Sequence, residues 1–183
     1  MSYIDEKNIS LLVLAYPELT IKGRNWIDNF RKKHDPLFYG IVDPHFTIVF
    51  PTFGIEQNDF VAEVEEKSKK ISKFDFTIRC ALMNNDRLSD YYHIFLSPDE
   101  GNSNIDKMHD ILYSGKLRKT LRLDIDFFSH IAIGSTKNED KCKELVDYVN
   151  NSNITINGSI NSLNIISYGD KKIENIKEIR LCY

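Results

Sequence analysis

The stretch from Asp43 to Pro51 places an imidazole and a hydroxyl side by side on one face of a short strand. Pro44 and Pro51 lie near its ends, where a residue without a backbone N–H is tolerated. Alternation of side chains gives the strand two faces: one has His45, Thr47 and Val49, and the other Phe46, Ile48 and Phe50. We expect the second set to face the core. An imidazole exchanges a proton near neutral pH, and a hydroxyl hydrogen-bonds a phosphate oxygen.

A partial repeat of this stretch lies 85 residues further on (130 − 45). His130 begins an apolar run of isoleucine and alanine and follows the aromatic pair Phe127-Phe128. Two strands that begin with histidine, one in each half of the chain, predict two equivalent lobes that face one groove.

The two stretches resemble the signature of the 2H phosphoesterases, also called the 2′-5′ RNA ligase-like superfamily. That signature is histidine, a hydrophobic residue, threonine or serine, and a second hydrophobic residue. His45-Phe46-Thr47-Ile48 matches it fully, whereas His130-Ile131-Ala132-Ile133 departs from it at Ala132. The resemblance covers nearly the whole chain. It implies an α+β fold of two pseudo-symmetric lobes with mostly antiparallel strands, helices outside and a groove between, as one bilobal domain over 1–183 without a linker.

The resemblance also implies a reaction. The expected activity is a metal-independent phosphodiesterase that hydrolyses a small cyclic phosphate or a 2′,5′-phosphodiester of a nucleotide or RNA end. Such hydrolysis needs one group that takes a proton from water and another that gives one to the leaving oxygen. His45 and His130 are the implied pair, and the direction of substrate binding decides their roles. Thr47 is expected to contact the phosphate.

Ala132 leaves the second lobe without the hydroxyl that the signature provides. Losing one such contact costs about 10²–10³ in rate. A backbone N–H near Gly134, or the Ser135 hydroxyl if the strand breaks at Gly134, is a candidate replacement. The alternative is a protein that binds a nucleotide or RNA end and has little or no turnover. A third hypothesis is that both histidines are structural.

Other candidate binding residues are less specific. Tyr168 is expected to stack on a nucleobase, as base–aromatic contacts do. Lys116 and Arg118 belong to a basic stretch that leads into the second motif and are predicted to contact phosphate, although an exposed basic run is an equal alternative. His93 also begins an apolar run, but no hydroxyl lies two residues on, and we expect a structural role for it.

The elements that must position these residues alternate along the chain. Periodicity predicts strands over 9–16, 74–83, 91–97, 154–160, 163–168 and 176–181, and helices over 21–33, 59–71, 105–113 and 138–149. Thr20, Asn138 and either Asn58 or Asp59 are predicted helix caps. Pro98 is expected to end a strand, and Asn157-Gly158 is expected to form a hairpin turn or a bulge.

Composition limits the class of protein. The 183 residues, 42% hydrophobic and 28% charged, are typical of a globular protein. A net charge of −3 argues against binding long duplex nucleic acid. The three cysteines and five histidines show no metal-ligand spacing, so no cofactor and no metal are predicted. No apolar run is long enough to cross a membrane, so we expect a cytoplasmic protein, acting as a monomer.

Overall fold

The chain forms two antiparallel sheets with helices packed against them. The structure is a computed structural model and describes residues 9–87, 89–170 and 172–182. The strands in this part of the chain are β1 (Ser10–Ala15), β2 (Glu18–Leu19), β3 (Phe46–Thr52), β4 (Phe74–Asn85), β5 (Tyr92–Glu100), β6 (Ile131–Thr136), β7 (Ile156–Ile160), β8 (Ser162–Gly169) and β9 (Lys172–Arg180). The helices are α1 (Ile21–His34), α2 (Gln57–Ser68), α3 (Asn102–Leu112) and α4 (Glu139–Asn151), and a 3₁₀ helix spans Lys116–Thr120.

Each histidine motif lies on an edge strand of its own sheet. Sheet A has the order β3-β1-β8-β9, and sheet B has the order β2-β7-β4-β5-β6. The first motif enters β3 and the second enters β6, which are edge strands of sheets A and B respectively. All of these strand pairs are antiparallel. The predicted α+β class, with two antiparallel lobes and helices outside, is confirmed.

The two faces of sheet A pack against different partners. On β1, Leu11, Val13 and Ala15 belong to the main hydrophobic core that sheets and helices share. Leu12 and Leu14 point the other way and form a small second cluster with Ile166 and neighbouring aromatic side chains. Sheet A therefore has one face in the main core and a second face that carries its own small apolar cluster.

Two helix starts follow the sequence and one does not. The Thr20 hydroxyl accepts a hydrogen bond from Gly23 N, and the Asn138 side chain accepts one from Lys141 N. These two predicted caps are confirmed. The prediction of Asn58 or Asp59 as the cap of α2 was wrong, because the helix begins two residues earlier at Gln57, without a side-chain cap.

Two predicted breaks lie inside strands. β5 continues through Pro98 to Glu100, but β6 pairs with β5 only as far as Leu96. Pro98 therefore has no β6 residue opposite it, and its missing N–H is tolerated there. Asn157-Gly158 lies within β7. A Cβ on Gly158 would come within 2.7 Å of Phe76 Cζ, so this glycine allows a close approach between strands rather than a turn.

No helix in residues 9–87, 89–170 and 172–182 is long and apolar enough to span a membrane.

Candidate active site

Both motif histidines are fixed by the same local hydrogen bond. His45 Nδ1 lies 2.7 Å from the carbonyl oxygen of Asp43, and His130 Nδ1 lies 2.9 Å from that of Phe128. Each partner is thus the residue two positions earlier. A carbonyl can only accept, so Nδ1 carries the proton in both rings. In the neutral tautomer, Nε2 is then a free acceptor, and no described residue hydrogen-bonds to either Nε2.

The strand of the first motif contains a β-bulge at Ile48, the fourth residue of the motif. Thr47 pairs with Leu14 and Val49 with Val13, which leaves Ile48 as the extra residue of β3. Ile48 and Val49 are both buried as a result. The strict alternation predicted for this strand therefore ends at Ile48. Phe50, expected in the core, is only half-buried.

The strand of the second motif has its bulge at the equivalent position. Ala132 pairs with Phe95 and Gly134 with Ile94, so Ile133 is the extra residue of β6. The bulge brings Ser135 opposite His93, on the face that also carries Ala132. The strand thus breaks its alternation at Gly134, which was the condition for Ser135 to take part. Counting away from His130, Ser135 is the next residue after Ala132 on this face of the strand. Its buried hydroxyl has no hydrogen-bond partner among the described residues.

His45 lies in a mixed polar and aromatic environment. The Tyr16 ring contacts it edge-on, with the centroids 5.9 Å apart. Thr47 is half-buried on the same face, next to Leu14, and none of the described residues hydrogen-bonds to its hydroxyl. Burial lowers the pKa of His45, while the hydrogen bond to the Asp43 carbonyl acts in the opposite direction.

His130 lies between aromatic rings. Phe95 stacks on it with a centroid distance of 3.8 Å, and Phe128 lies 4.7 Å away. Burial lowers the pKa of His130 to about 4; positive charge on His45 and on His93 lowers it further, against the bond to the Phe128 carbonyl. The pKa of His130 thus responds to charge on the histidine of the other motif.

His93 extends the aromatic surroundings of His130 through its contact with Phe95. Its ring stacks parallel to Phe95 at 5.5 Å, and its Nε2 lies 3.6 Å from Asp86 Oδ2. His93 and Phe95 alternate along β5, so both lie on the face of sheet B that carries His130. Sequence reasoning missed Phe95 as a site residue, although its alternation with His93 was a usable signal.

An open cavity of about 370 Å³ adjoins His45. It is lined by Tyr16 and by the segment from Gly40 to Asp43, whose carbonyl also orients the His45 ring. Asp35 anchors the start of this segment by accepting a hydrogen bond from Phe38 N, and is itself buried in an ion pair with Arg31. The segment that lines the cavity is therefore anchored where it leaves α1.

The remaining predicted site residues lie further away. Tyr168 pairs with Ser10, five residues along β1 from Ala15, so about 17 Å separates it from the His45 end of the groove. Lys116 is directed to α2, where its ammonium lies 3.4 Å from Asp59 and its backbone N–H donates to Glu63. Arg118 is exposed on the 3₁₀ helix. Among the predicted site residues, Thr47 thus follows His45 on the strand of the first motif, whereas Tyr168, Lys116 and Arg118 lie on other elements.

No group of three or more His, Cys, Asp or Glu side chains in the described part of the chain is arranged to hold a metal ion.

Two edge strands of separate sheets, each preceded by a histidine whose tautomer a backbone carbonyl fixes, define a class of fold and site, and comparisons with known proteins identify it. The family model of the 2′-5′ RNA ligase superfamily matches residues 18–172. The protein belongs to this superfamily, the 2H phosphoesterases. Membership supports a phosphodiesterase-type function. No match is found among curated protein sequences.

Solved structures of the superfamily share the fold at low sequence identity. E. coli LigT complexed with 3′-AMP is 16% identical, with a TM-score of 0.59 over 97% of this chain and 100% of that chain. TT0787 of Thermus thermophilus is 12% identical, with a TM-score of 0.61 over 94% and 97%. Kluyveromyces marxianus Usb1 is 9% identical, with a TM-score of 0.53 over 93% and 98%.

Proposed function

We propose that this protein is a metal-independent phosphodiesterase that opens a small cyclic phosphate or cleaves a 2′,5′-phosphodiester of a nucleotide or RNA end. The observation that carries the proposal is the matched pair of Nδ1–carbonyl hydrogen bonds, which gives both imidazoles the same tautomer and the same free Nε2.

In this reaction one Nε2 accepts a proton from water as the water oxygen attacks phosphorus. The bond from phosphorus to the leaving ribose oxygen breaks, and the other imidazole, in its charged form, delivers a proton to that oxygen. Thr47 donates its hydroxyl to a non-bridging phosphate oxygen. The pKa of each motif histidine is lowered in the free protein, so binding of the phosphate anion favours protonation of the acid.

The cavity beside His45 suits the nucleoside part of such a substrate. Its volume of about 370 Å³ and its Tyr16 wall fit a base next to a phosphate at the histidine pair. Neighbours complexed with 3′-AMP, ATP and NADP+ support a nucleotide ligand. Tyr168 and Arg118 are then available only to a longer RNA end, and Lys116 is occupied by α2.

The test is direct. Purified protein treated with EDTA is incubated with 2′,3′-cyclic nucleotides and 2′,5′-linked dinucleotides, and products are separated by chromatography. We expect hydrolysis that is unchanged by the chelator, and a bell-shaped kcat/KM profile centred below pH 6.5, because the pKa of each motif histidine lies below its ordinary value. Activity that EDTA abolishes and a divalent ion restores would exclude this mechanism.

A second candidate is a nucleotide- or RNA-end-binding protein without turnover. Ala132 favours it, because it leaves Thr47 as the one hydroxyl that the two signatures supply. Calorimetric titration with the same panel separates the two candidates. Binding of a nucleotide that is recovered unchanged after long incubation supports the binding protein.

A further inference from the structure

One face of helix α3 carries four side chains that form hydrogen bonds outside the helix. Asn102, Asp106, His109 and Tyr113 follow the spacing i, i+4, i+7 and i+11, which places them in one row. We call this row the α3 stripe; Tyr113 is the residue that ends the helix. The intervening Ile105, Met108 and Leu112 are fully buried in the main core. The apolar side chains thus anchor α3 in the core. The α3 stripe lies on a different face of the helix, where its side chains hydrogen-bond to other elements.

The C-terminal half of the stripe holds the first motif. His109 Nδ1 donates to the Ile48 carbonyl at 2.8 Å, and the Tyr113 hydroxyl accepts from Phe50 N at 3.1 Å. Ile48 is the bulged residue of an edge strand, which the sheet leaves without a regular partner. Burial lowers the pKa of His109, which favours the neutral ring with its proton on Nδ1.

The N-terminal half holds the second motif. The Ser129 hydroxyl lies 2.5 Å from Asn102 Oδ1 and 3.1 Å from Asp106 Oδ1, and Asn102 Nδ2 donates to Asp106 at 3.1 Å. Ser129 is only 3% exposed and directly precedes His130. About one turn further along α3, the His109 ring stacks on Phe127, with the ring centroids 3.7 Å apart. Phe127 precedes Phe128, whose carbonyl orients His130.

We infer that the α3 stripe positions the two histidine motifs relative to each other. One end of the α3 stripe contacts the second motif, in sheet B, and the other end contacts the first motif, in sheet A. The two ends are about 16 Å apart along a rigid helix. These four are positioning residues, because they act through Ile48, Phe50, Ser129 and Phe127 rather than on the substrate.

The kinetic part of this inference rests on the proposed function. Two imidazoles that share one phosphate need their Nε2 atoms at a fixed separation, and a misplacement of 1 Å costs about 10²-fold in rate. Loosening one end of the stripe should therefore lower kcat more than it raises KM. A loss of general stability alone has no such preference.

The experiment uses His109→Phe, which keeps a ring on Phe127 but removes the bond to Ile48, and His109→Asn, which keeps a donor near Nδ1. The matched control is Asn150→Leu. Asn150 on α4 forms two hydrogen bonds with the Ala81 backbone on β4, of 2.7 and 3.1 Å, and these bonds involve neither motif. Tyr113→Phe removes a single oxygen and serves if His109→Phe does not fold.

We expect His109→Phe to lower kcat about 10²-fold, Tyr113→Phe to lower it less, and His109→Asn to recover part of the loss. Asn150→Leu should lower the melting temperature without changing kcat. Equal kcat losses for His109→Phe and Asn150→Leu at equal loss of melting temperature would overturn the inference.

A readout without substrate separates this inference from the proposed function. Titration of labelled histidines by NMR follows the pKa of His130, about 4 in the intact protein. We expect His109→Phe to move this pKa towards 6.5, because a loosened Phe127-Phe128 segment admits water, and Asn150→Leu to leave it in place. An unmoved pKa in His109→Phe contradicts the positioning role even if the wild type hydrolyses nothing in the panel.

Discussion

The two histidine motifs share their backbone design and differ in what surrounds the imidazole. Both rings donate Nδ1–H to the carbonyl two residues earlier, and both strands bulge at the fourth motif residue. Around His45 there is a hydroxyl on the same face and the edge of one tyrosine ring. Around His130 there are two phenylalanine rings and an alanine. The backbone fixes the orientation of each histidine, and the neighbouring side chains set its acidity.

The difference has a chemical consequence. An imidazole between phenylalanine rings resists protonation, which agrees with a pKa of about 4 for His130. The imidazole of His45 has the hydroxyl of Thr47 on the same face of its strand. Under the proposed function, we therefore assign binding of the anion to the first motif and a neutral imidazole to the second. The two halves of the molecule are similar in backbone and unequal in chemistry.

The strongest test of this comparison removes each histidine. His45→Ala and His130→Ala should each lower kcat/KM by about 10⁴-fold, because each proton transfer is lost. The double variant should be no worse than the poorer single one, since the pair acts as a unit. Progress curves with the best substrate of the panel measure the effect. Substantial activity in either single variant would mean that the motifs do not cooperate.

Thr47→Val tests the polar side of the comparison. It keeps the shape and the β-branched strand preference and removes the hydroxyl, so the rate should fall by about 10²-fold with little change in stability. Steady-state kinetics and thermal melting check the two parts. The matched control on the other strand is Ala132→Val, which adds bulk without a hydroxyl and should not raise the rate.

The pKa of His130 predicts how stability depends on pH. The histidine is protonated near pH 6.5 in the unfolded chain and only near pH 4 in the folded chain. The free energy of unfolding should therefore fall by about 3 kcal/mol as pH decreases from 6.5 to 4. Above pH 6.5 and below pH 4 this group has no further effect. In His130→Phe the loss should be smaller by that amount. Urea unfolding at pH 4, 5, 6 and 7 measures it, and identical pH dependence in both proteins would contradict the apolar description of the second motif.

The smallest expected effect comes from making the second motif more like the first. Ala132→Thr restores the hydroxyl of the signature on the face of His130, next to Phe95. We expect a gain of up to about tenfold in kcat/KM, less than the 10²–10³ of a full oxyanion contact, because Phe95 already fills part of the space. If rate and phosphate affinity stay unchanged in a normally folded variant, another group already binds that oxygen.

The sequence predicted the backbone of the site better than its surroundings. His45, Thr47 and His130 were proposed as site residues because strand alternation and the signature are local properties that a sequence displays. Phe95 was missed because its contact with His130 crosses from β5 to β6, and strand pairing is a long-range property.

Alternation also failed at specific points. Phe50 was assigned to the core because nothing local marks Ile48 as a bulge. Pro98 and Gly158 were interpreted as breaks, since tolerance of proline or glycine within a strand depends on which neighbouring strands are present. In contrast, the caps at Thr20 and Asn138 need only the residues within one turn, and both were predicted correctly.

The paired bulges also bear on how this sequence can change. A bulge is one residue more than the partner strand requires, so loss of Ile48 or Ile133 would leave a regular ladder in which the residues after it keep their partners and their faces. The histidines before each bulge would keep their places. A difference of one residue between relatives should therefore be tolerated at the fourth motif position, which is where a gap belongs when distant homologues are aligned.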